Sequence, residues 1–412
     1  MSRTIEAFIP LGEAQARILE QAAPGEPTEV SLAEAVGLVL AEAAIADVDL
    51  PPSDRAACEG YAVRSAGATA GVLLRVAGSR WARAVAESPE AGEAVRVAPG
   101  DALPVGVDAV IRPDGVRPDP DPVAGRARVV EVLRGVVPGR DVIRRGSILA
   151  AGTTIARQGT RLDAPMVGLL ASQGCVHPVC HRRVRVAIVA VGDHLIGASE
   201  APTMGRERNA AGAAVVALAL RAGAMPHDFQ AVARRRLIPA LERATSAPAI
   251  VVLGPLGDCI PRAFAALGVE PILRGVAVRP GGYLRYGVIR DDDGRVAHHV
   301  FHLPLAPIDA SIAFTLLVRP LIARLQGDPE ADAVPRPVAA IWEGHHRPSG
   351  NRARPVLAAF EVDSGAHCRV RPVASRGPDD LPALARAHGI ALLPARSGPW
   401  TGGEVVDFVR FD

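Results

Sequence analysis

The side chains most able to do chemistry fall in a few short stretches. In AACEGYAVRSA (57–67) the carboxylate of Glu59 stands directly before Gly-Tyr-Ala, in a chain with only three tyrosines. VRPGGYLRYG (278–287) holds Arg279, Arg285, a Gly-Gly pair and the other two tyrosines. Arginine beside a flexible glycine pair suits an oxyanion, although Pro-Gly-Gly between apolar runs is also hairpin chemistry, and both readings can hold at once. DHLIGASE (193–200) and PLGDCIP (255–261) follow two apolar runs that end in Gly192 and Gly254. Gly254 and Gly257 allow a close approach to an anion, and a helix start after them favours negative charge. The competing reading is an ordinary strand-to-helix turn.

Two further clusters resemble metal sites at first glance. CVHPVCH (175–181) brings Cys175, His177, Cys180 and His181 together, and HHVFH puts His298 and His302 on one strand face. Neither has zinc-knuckle spacing, and no second Cys pair completes a site. No Walker loop, nucleophile elbow or dinucleotide fingerprint is present.

The elements that must position these residues follow from the hydrophobic pattern. VRVAIVAVG and AIVVLG are near-continuous apolar runs, as in parallel strands buried on both faces. NAAGAAVVALALRAGA after the first run is a helix with Asn209 as its cap, and RRRLIPALERATSA and PRAFAALG are two more. Alternating strands and helices predict an α/β sheet with right-handed crossovers over 181–327. Short Val-rich runs broken by Gly, Pro and Asp predict a β-rich module over 45–141, and another over 336–412. Residues 1–44 and 142–180 read as a helical and linker domain. Within it SLAEAVGLVLAEA opens on a capping box, and the segment from Arg144 to Gly174 has a helical stripe. GDPEADAVPRP marks the clearest boundary.

Bulk properties narrow the function classes. At 412 residues the chain exceeds one ordinary core. Hydrophobic residues make up 49% and aromatics 3%, so aliphatic side chains must fill the interior. All of the basic residues are Arg, yet the net charge is only +2, which argues against nonspecific nucleic-acid binding. No signal peptide and no membrane-length apolar run is visible, and five cysteines form no disulfide framework, so the expected location is cytoplasmic.

Six segments, in order, resemble the molybdopterin molybdenumtransferase family (MoeA and the E domain of gephyrin). LPPSDRAACEGYAVR is similar to PxxDNSAMDGYAVR, and ALPVGVDAVI to GAPVPEGADAVV. VIRRGSILAAGTTI resembles NIRRRGEDIKAGDVL, and VRVAIVAVGDHLI resembles VRVAIFSTGDEL. AVRPGGYLRYG is similar to AIKPGKPFAFG, and HLPLAPIDASIAFTLLVRPLIARLQG to GLPGNPVSALVTFELFVRPALRKLQG. The resemblance covers essentially the whole chain. It implies a mixed α/β and β multidomain fold, with a three-layer, MogA-like molybdopterin-binding domain and small β modules. It implies a homodimer that binds molybdopterin or its adenylate, Mg2+ and molybdate. It also implies a further protein partner, either a cofactor-biosynthesis protein or a molybdoenzyme.

The departures concern the chemistry. The signature Asp becomes Glu59, the Glu of TGDEL becomes His194, the Asp of YDTN becomes Asn209, and Leu305 and Ala306 replace the Gly-Asn of LPGNP. The resemblance leaves Glu59, Asp258 and His194 as catalytic candidates, with Glu59 and Asp258 as the remaining metal ligands. It leaves Gly192, Asp193, Asn209, Gly254, Gly257, Arg279, Pro304 and Pro307 for ligand binding. Three functions stay open: molybdate insertion with altered ligands, a non-catalytic paralogue that binds cofactor or partner as scaffold, chaperone or sensor, and an unrelated enzyme on the same frame.

Overall fold

The computed structural model describes residues 8–77, 88–119, 129–331, 335–347 and 352–411. The chain forms two compact units, a smaller one of residues 43–157 and 165–176 and a larger one of residues 1–42, 158–164 and 177–412. The architecture is mixed α/β with several sheets.

The smaller unit is built on a six-stranded sheet. Gly60–Val63 (β1) and Glu93–Val97 (β2) pair antiparallel at its middle, with Ala109–Ile111 beyond β1. Val63, Leu74, Ala94 and Val130 are buried in its core. Gly60 has a specific steric reason: a Cβ there would lie 2.2 Å from the Ile111 carbonyl oxygen, so the neighbouring strand leaves room only for hydrogen. Acids tie two of the quoted segments together. Asp54 accepts from Arg144 Nη1 and from the Arg145 backbone N–H, both at 2.7 Å, and Asp49 accepts from Arg145 Nε at 2.6 Å and from the Ala151 N–H at 2.9 Å. These donors hold both carboxyls below the usual carboxylate range, against the opposing effect of partial burial, which is the largest single influence on Asp54.

Two helical expectations were shortened by glycine. Of the segment from Arg144 to Gly174, only Ala164–Ser172 is an α-helix, because Gly146, Gly152 and Gly159 take φ of 69°, 82° and 84° and turn the chain. The Ser31–Glu34 capping box forms as expected, but its helix spans only Leu32–Ala35, and past Gly37 the chain continues as the strand Val39–Leu40.

The larger unit contains the α/β sheet. In chain order its elements are Arg185–Val191 (β3), Ala210–Arg221 (α1), Met225–Val232 (β4), Leu237–Ala244 (α2), Ala249–Gly254 (β5), Cys259–Ala266 (α3), Glu270–Leu273 (β6), Arg285–Arg290 (β7), Val296–Pro304 (β8) and Pro307–Ala313 (α4). The sheet order is β4-β3-β5-β8-β7-β6, with the first four strands parallel and β7 antiparallel to both of its neighbours, β8 and β6. Alternate residues of β3 serve opposite faces: Val186, Ile188 and Ala190 pack with Val215 and Ala219 of α1, while Ala187, Val189 and Val191 pack with Leu237 and Leu241 of α2 and Phe264 of α3. Burial on both faces explains the unbroken apolar runs.

In the same unit a closed barrel is formed by Val338–Trp342 (β9), Arg354–Val362 (β10), Cys368–Pro372 (β11), Gly389–Leu393 (β12) and Val405–Arg410 (β13), in the order β9-β11-β10-β12-β13 around Trp342, Val370 and Phe408. Asp380 caps the short helix Leu381–Arg386 (α5), accepting from the Ala383 N–H at 3.0 Å. No described helix is long and apolar enough to cross a membrane.

Candidate functional site

The connections around β3 mark the sheet edge where a ligand is expected. From β3 the chain crosses through α1 to β4 on one side, then returns through α2 to β5 on the other. The carboxyl ends of β3 and β5 are therefore a topological switch point, where open α/β sheets take ligands. Gly192, Asp193 and His194 leave β3 at this edge, and Pro255, Leu256, Gly257 and Asp258 leave β5. Gly254 pairs in register with Pro304, which brings the end of β8 level with them.

Each sequence-singled residue has a definite setting. Asp193 accepts from the Arg234 N–H at 3.0 Å, with Arg234 Nε at 3.7 Å, which binds the β3 loop to the β4 loop. His194 Nε2 lies 3.1 Å from Glu207 Oε1, and both side chains are largely exposed. Asn209 caps α1, accepting from the Gly212 N–H at 2.9 Å, as its position predicted. A Cβ on Gly254 would lie 2.3 Å from Ile260 Cδ1, so that glycine serves the packing of α3 on the strand end. A Cβ on Gly257 would meet nothing within 4 Å, so the loop backbone there is open. Asp258 is the exposed N-cap residue of α3 and makes no capping hydrogen bond with its side chain. Pro304 ends β8, and buried Pro307 opens α4.

Glu59 belongs to the smaller unit. Its Oε1 accepts from Arg96 Nη2 at 2.9 Å. A divalent cation wants several oxygen donors. Glu59 is paired with Arg96, Asp193 with Arg234 and His194 with Glu207, and Asp258 adds one exposed carboxylate, a donor set poorer in free oxygens than Mg2+ wants. Among the described residues no three His, Cys, Asp or Glu side chains are placed to hold a metal ion. The two histidine clusters are explained by carbonyl contacts instead. His181 Nδ1 pairs with Gly25 O at 2.7 Å, His298 Nδ1 with Ala247 O at 3.0 Å, and His302 Nε2 with Gly254 O at 3.3 Å.

A second feature of the larger unit draws in residues that periodicity did not single out. The turn at Arg279–Tyr283, the start of α4 and the barrel enclose a cavity of about 540 Å³. Its wall includes Arg279, Arg354, His346, Ser375 and Asp309. Backbone bonds seat the turn against the barrel: the Arg279 N–H donates to Ala353 O, and the Ala353 N–H to Ala277 O, both at 3.0 Å. Gly282 is required there, since its Cβ would fall 2.2 Å from Val278 O. Two side-chain atoms on the wall are buried without a hydrogen-bond partner, Asp309 Oδ1 and His346 Nε2. Burial, then the nearby Asp379 carboxylate, push the Asp309 carboxyl up, opposed by a bond from the Gly281 backbone. Burial, then Arg354, hold the His346 imidazole below its usual range. Arg279 was singled out in the sequence, and it lines this cavity. Arg354, His346 and Ser375 carry no local signal, because only the docking of the barrel brings them to the turn.

A family model described as the MoeA N-terminal region (domain I and II) matches residues 9–174. Molybdopterin molybdenumtransferase 1 of Mycobacterium tuberculosis is 33% identical over 346 residues, 75% of this chain and 76% of that protein. Molybdopterin molybdenumtransferase 2 of the same organism is 30% identical over 411 residues, covering 93% and 94%. Two crystal structures of a molybdopterin biosynthesis MoeA protein from Pyrococcus horikoshii share the fold with TM-scores of 0.83 and 0.79, at 24% identity over 98% of this chain and 100% of theirs.

Proposed function

Because the chain belongs to the MoeA family, we propose that it acts in molybdenum cofactor biosynthesis, taking molybdate as its oxyanion substrate and a molybdopterin-type molecule as the acceptor. The observation that carries this reading is the cavity where Arg279 and Arg354 face a common space. Guanidinium groups present planar forks of donors that match oxyanions, and Ser375 adds a hydroxyl. The switch-point crevice suits the molybdopterin or its adenylate. The open backbone at Gly257, at the N-terminus of α3, favours a phosphate there, with Gly192, Asp193, Gly254 and the Asn209-capped helix forming the floor. Pro304 and Pro307 fix the β8 end of that crevice. Asp258 and His194, exposed at its mouth, are the groups available to move protons.

The catalysis is altered from the family pattern. The acid expected to hold Mg2+ is engaged by Arg96, and no step is assigned to a metal ion. That same ion pair favours a second reading, a non-catalytic paralogue that binds molybdopterin cofactor or a partner protein. In either reading the chain divides at about 45, 142, 181 and 336, works as a homodimer, and resides in the cytoplasm.

The deciding experiment is complementation of a strain lacking its insertase, paired with calorimetry. Restored molybdoenzyme activity supports the transferase. Molybdopterin binding without rescue supports the paralogue. Failure to bind molybdate, molybdopterin or its adenylate removes the transferase and the cofactor-binding form of the paralogue.

A further inference from the structure

Two cavities of the larger unit have no wall residue in common with the Arg279 cavity, but share Arg221 and Arg410 with each other. One, of about 580 Å³, is apolar, with Ala217 and Leu218 of α1, Phe360 of β10, Leu384 of α5 and Phe411 in its wall. The other, of about 680 Å³, is basic. Arg161, Arg183, Arg221, Arg319, Arg336 and Arg410 line it with two carboxylates, Asp328 and Glu330, so six positive charges against two negative leave an excess of four. Backbone carbonyls fix several of these guanidiniums without cancelling their charge. Arg161 Nη1 donates to Gly37 O at 2.8 Å, Arg183 Nη2 to Val36 O at 3.0 Å, and Arg319 Nη1 to Arg410 O at 2.9 Å. Arg161 also pairs with Asp328 at 3.1 Å, and Arg336 with Glu330 at 2.6 Å. The Arg161 and Arg336 side chains are 46% and 62% exposed, so a ligand from solvent can reach them. Like charges gathered on one wall repel, and a bound anion relieves the repulsion. Arg410 stands at the border. Its guanidinium carbon lies 5.8 Å from the centre of the Phe360 ring on the apolar side, while its carbonyl holds Arg319 on the basic side.

We propose that the two cavities form one site for an amphipathic anion, a phosphate ester with an aliphatic chain. The phosphate sits among the arginines, whose forks of N–H donors match its oxygens. The chain passes Arg410 and lies against Phe360, Leu384 and Phe411, where it leaves water. The apolar wall favours an aliphatic body over a nucleoside. Apart from the shared arginines its polar side chains are Ser311, which is 2% exposed, and His388, whose Nδ1 already accepts the Phe360 N–H at 2.9 Å. A nucleobase would leave its ring edges without partners there. The ligand is the free ester, since the arginines line a recess that a flat bilayer surface does not enter. This site is independent of the oxyanion reading of the Arg279 cavity.

The test is calorimetry of the full chain with octyl phosphate below its micellar concentration, with sodium phosphate and with octanol. Octyl phosphate is expected to bind at least about tenfold tighter than either of the others, because only it fills both halves. Its affinity is expected to fall as sodium chloride is raised. A217E sets a carboxylate in the apolar half, and R336Q removes a cation from the basic half. Each is expected to weaken octyl phosphate at least about fivefold, and A217E to spare inorganic phosphate. R295Q, at an exposed arginine outside both cavities, is expected to keep the wild-type affinity. The proposal is overturned if octyl phosphate binds no tighter than phosphate or octanol, or if R295Q loses as much as R336Q. It is equally overturned if vesicles containing phosphatidic acid capture the chain while octyl phosphate does not bind. Should a variant fail to fold, the wild-type ratio among the three probes decides alone.

Discussion

Glu59 and Arg96 form an ion pair at 2.9 Å across the edge of β1 and β2, with both side chains more than half exposed. The bond from Glu59, more than the partial burial that opposes it, holds the Arg96 guanidinium above its ordinary range. An exposed pair of this kind contributes about 0–1 kcal/mol. Glu59→Gln is therefore expected to leave the urea midpoint of the smaller unit almost unchanged. A loss of several kcal/mol in chemical denaturation contradicts the assignment, as does tightened unfolding on adding Mg2+ to the wild type alone.

Gly60, one residue on, is far less tolerant. Gly60→Ala drives a Cβ into the backbone of Ala109–Ile111, where nothing flexible can yield. The expected cost is about 3 kcal/mol. Limited proteolysis checks it: cleavage within 43–157 should appear early in the variant, while the α/β segment stays protected.

His299 and His302 predict an acid-sensitive larger unit. Burial is the main cause that lowers both imidazoles to about 4. His299 Nδ1 is bonded to Tyr286 Oη at 2.9 Å. With unfolded values near 6.5, the unfolded chain binds protons that the native chain refuses. Stability is thus fully present above about pH 6.5 and is lost as the pH falls toward about 4, by at most about 3 kcal/mol for each group. Thermal melts over that window should show the decline. His302→Gln, which cannot titrate, should flatten it.

Arg354 tests whether the barrel contributes to the site. Arg354→Ala is expected to weaken molybdate binding about tenfold or more, since a hydrogen bond to a charged group is worth about 1.5–3 kcal/mol. Arg354→Lys should recover only part of the loss, because an ammonium lacks the planar fork. Direct titration with molybdate reads both, and unchanged affinity in Arg354→Ala removes the barrel from the site.

Much of the α/β segment is legible in the sequence. The run Val186–Val191 has apolar residues on consecutive positions, a pattern that a strand covered on both faces satisfies, and the structure covers it with α1 on one face and α2 and α3 on the other. Asn209 announced its helix because a side-chain oxygen is needed to meet an orphan N–H, which it does at Gly212. The stretch after Arg144 misled because an apolar stripe says nothing of φ, and Gly146, Gly152 and Gly159 turn the chain where the stripe alone would continue a helix.

By itself the sequence determined the strands and helices of the α/β segment, its switch-point loops and the family, since periodicity, caps and motif order are local properties of the chain. What only tertiary structure decided is which charges meet. That Glu59 faces Arg96, that Asp54 is claimed by Arg144 and Arg145, and that Arg354 and Asp309 share a wall with Arg279 depend on contacts between residues as many as 91 positions apart. Electrostatic pairing acts over a few ångströms of space whatever the separation along the chain, so no spacing in the sequence can encode it.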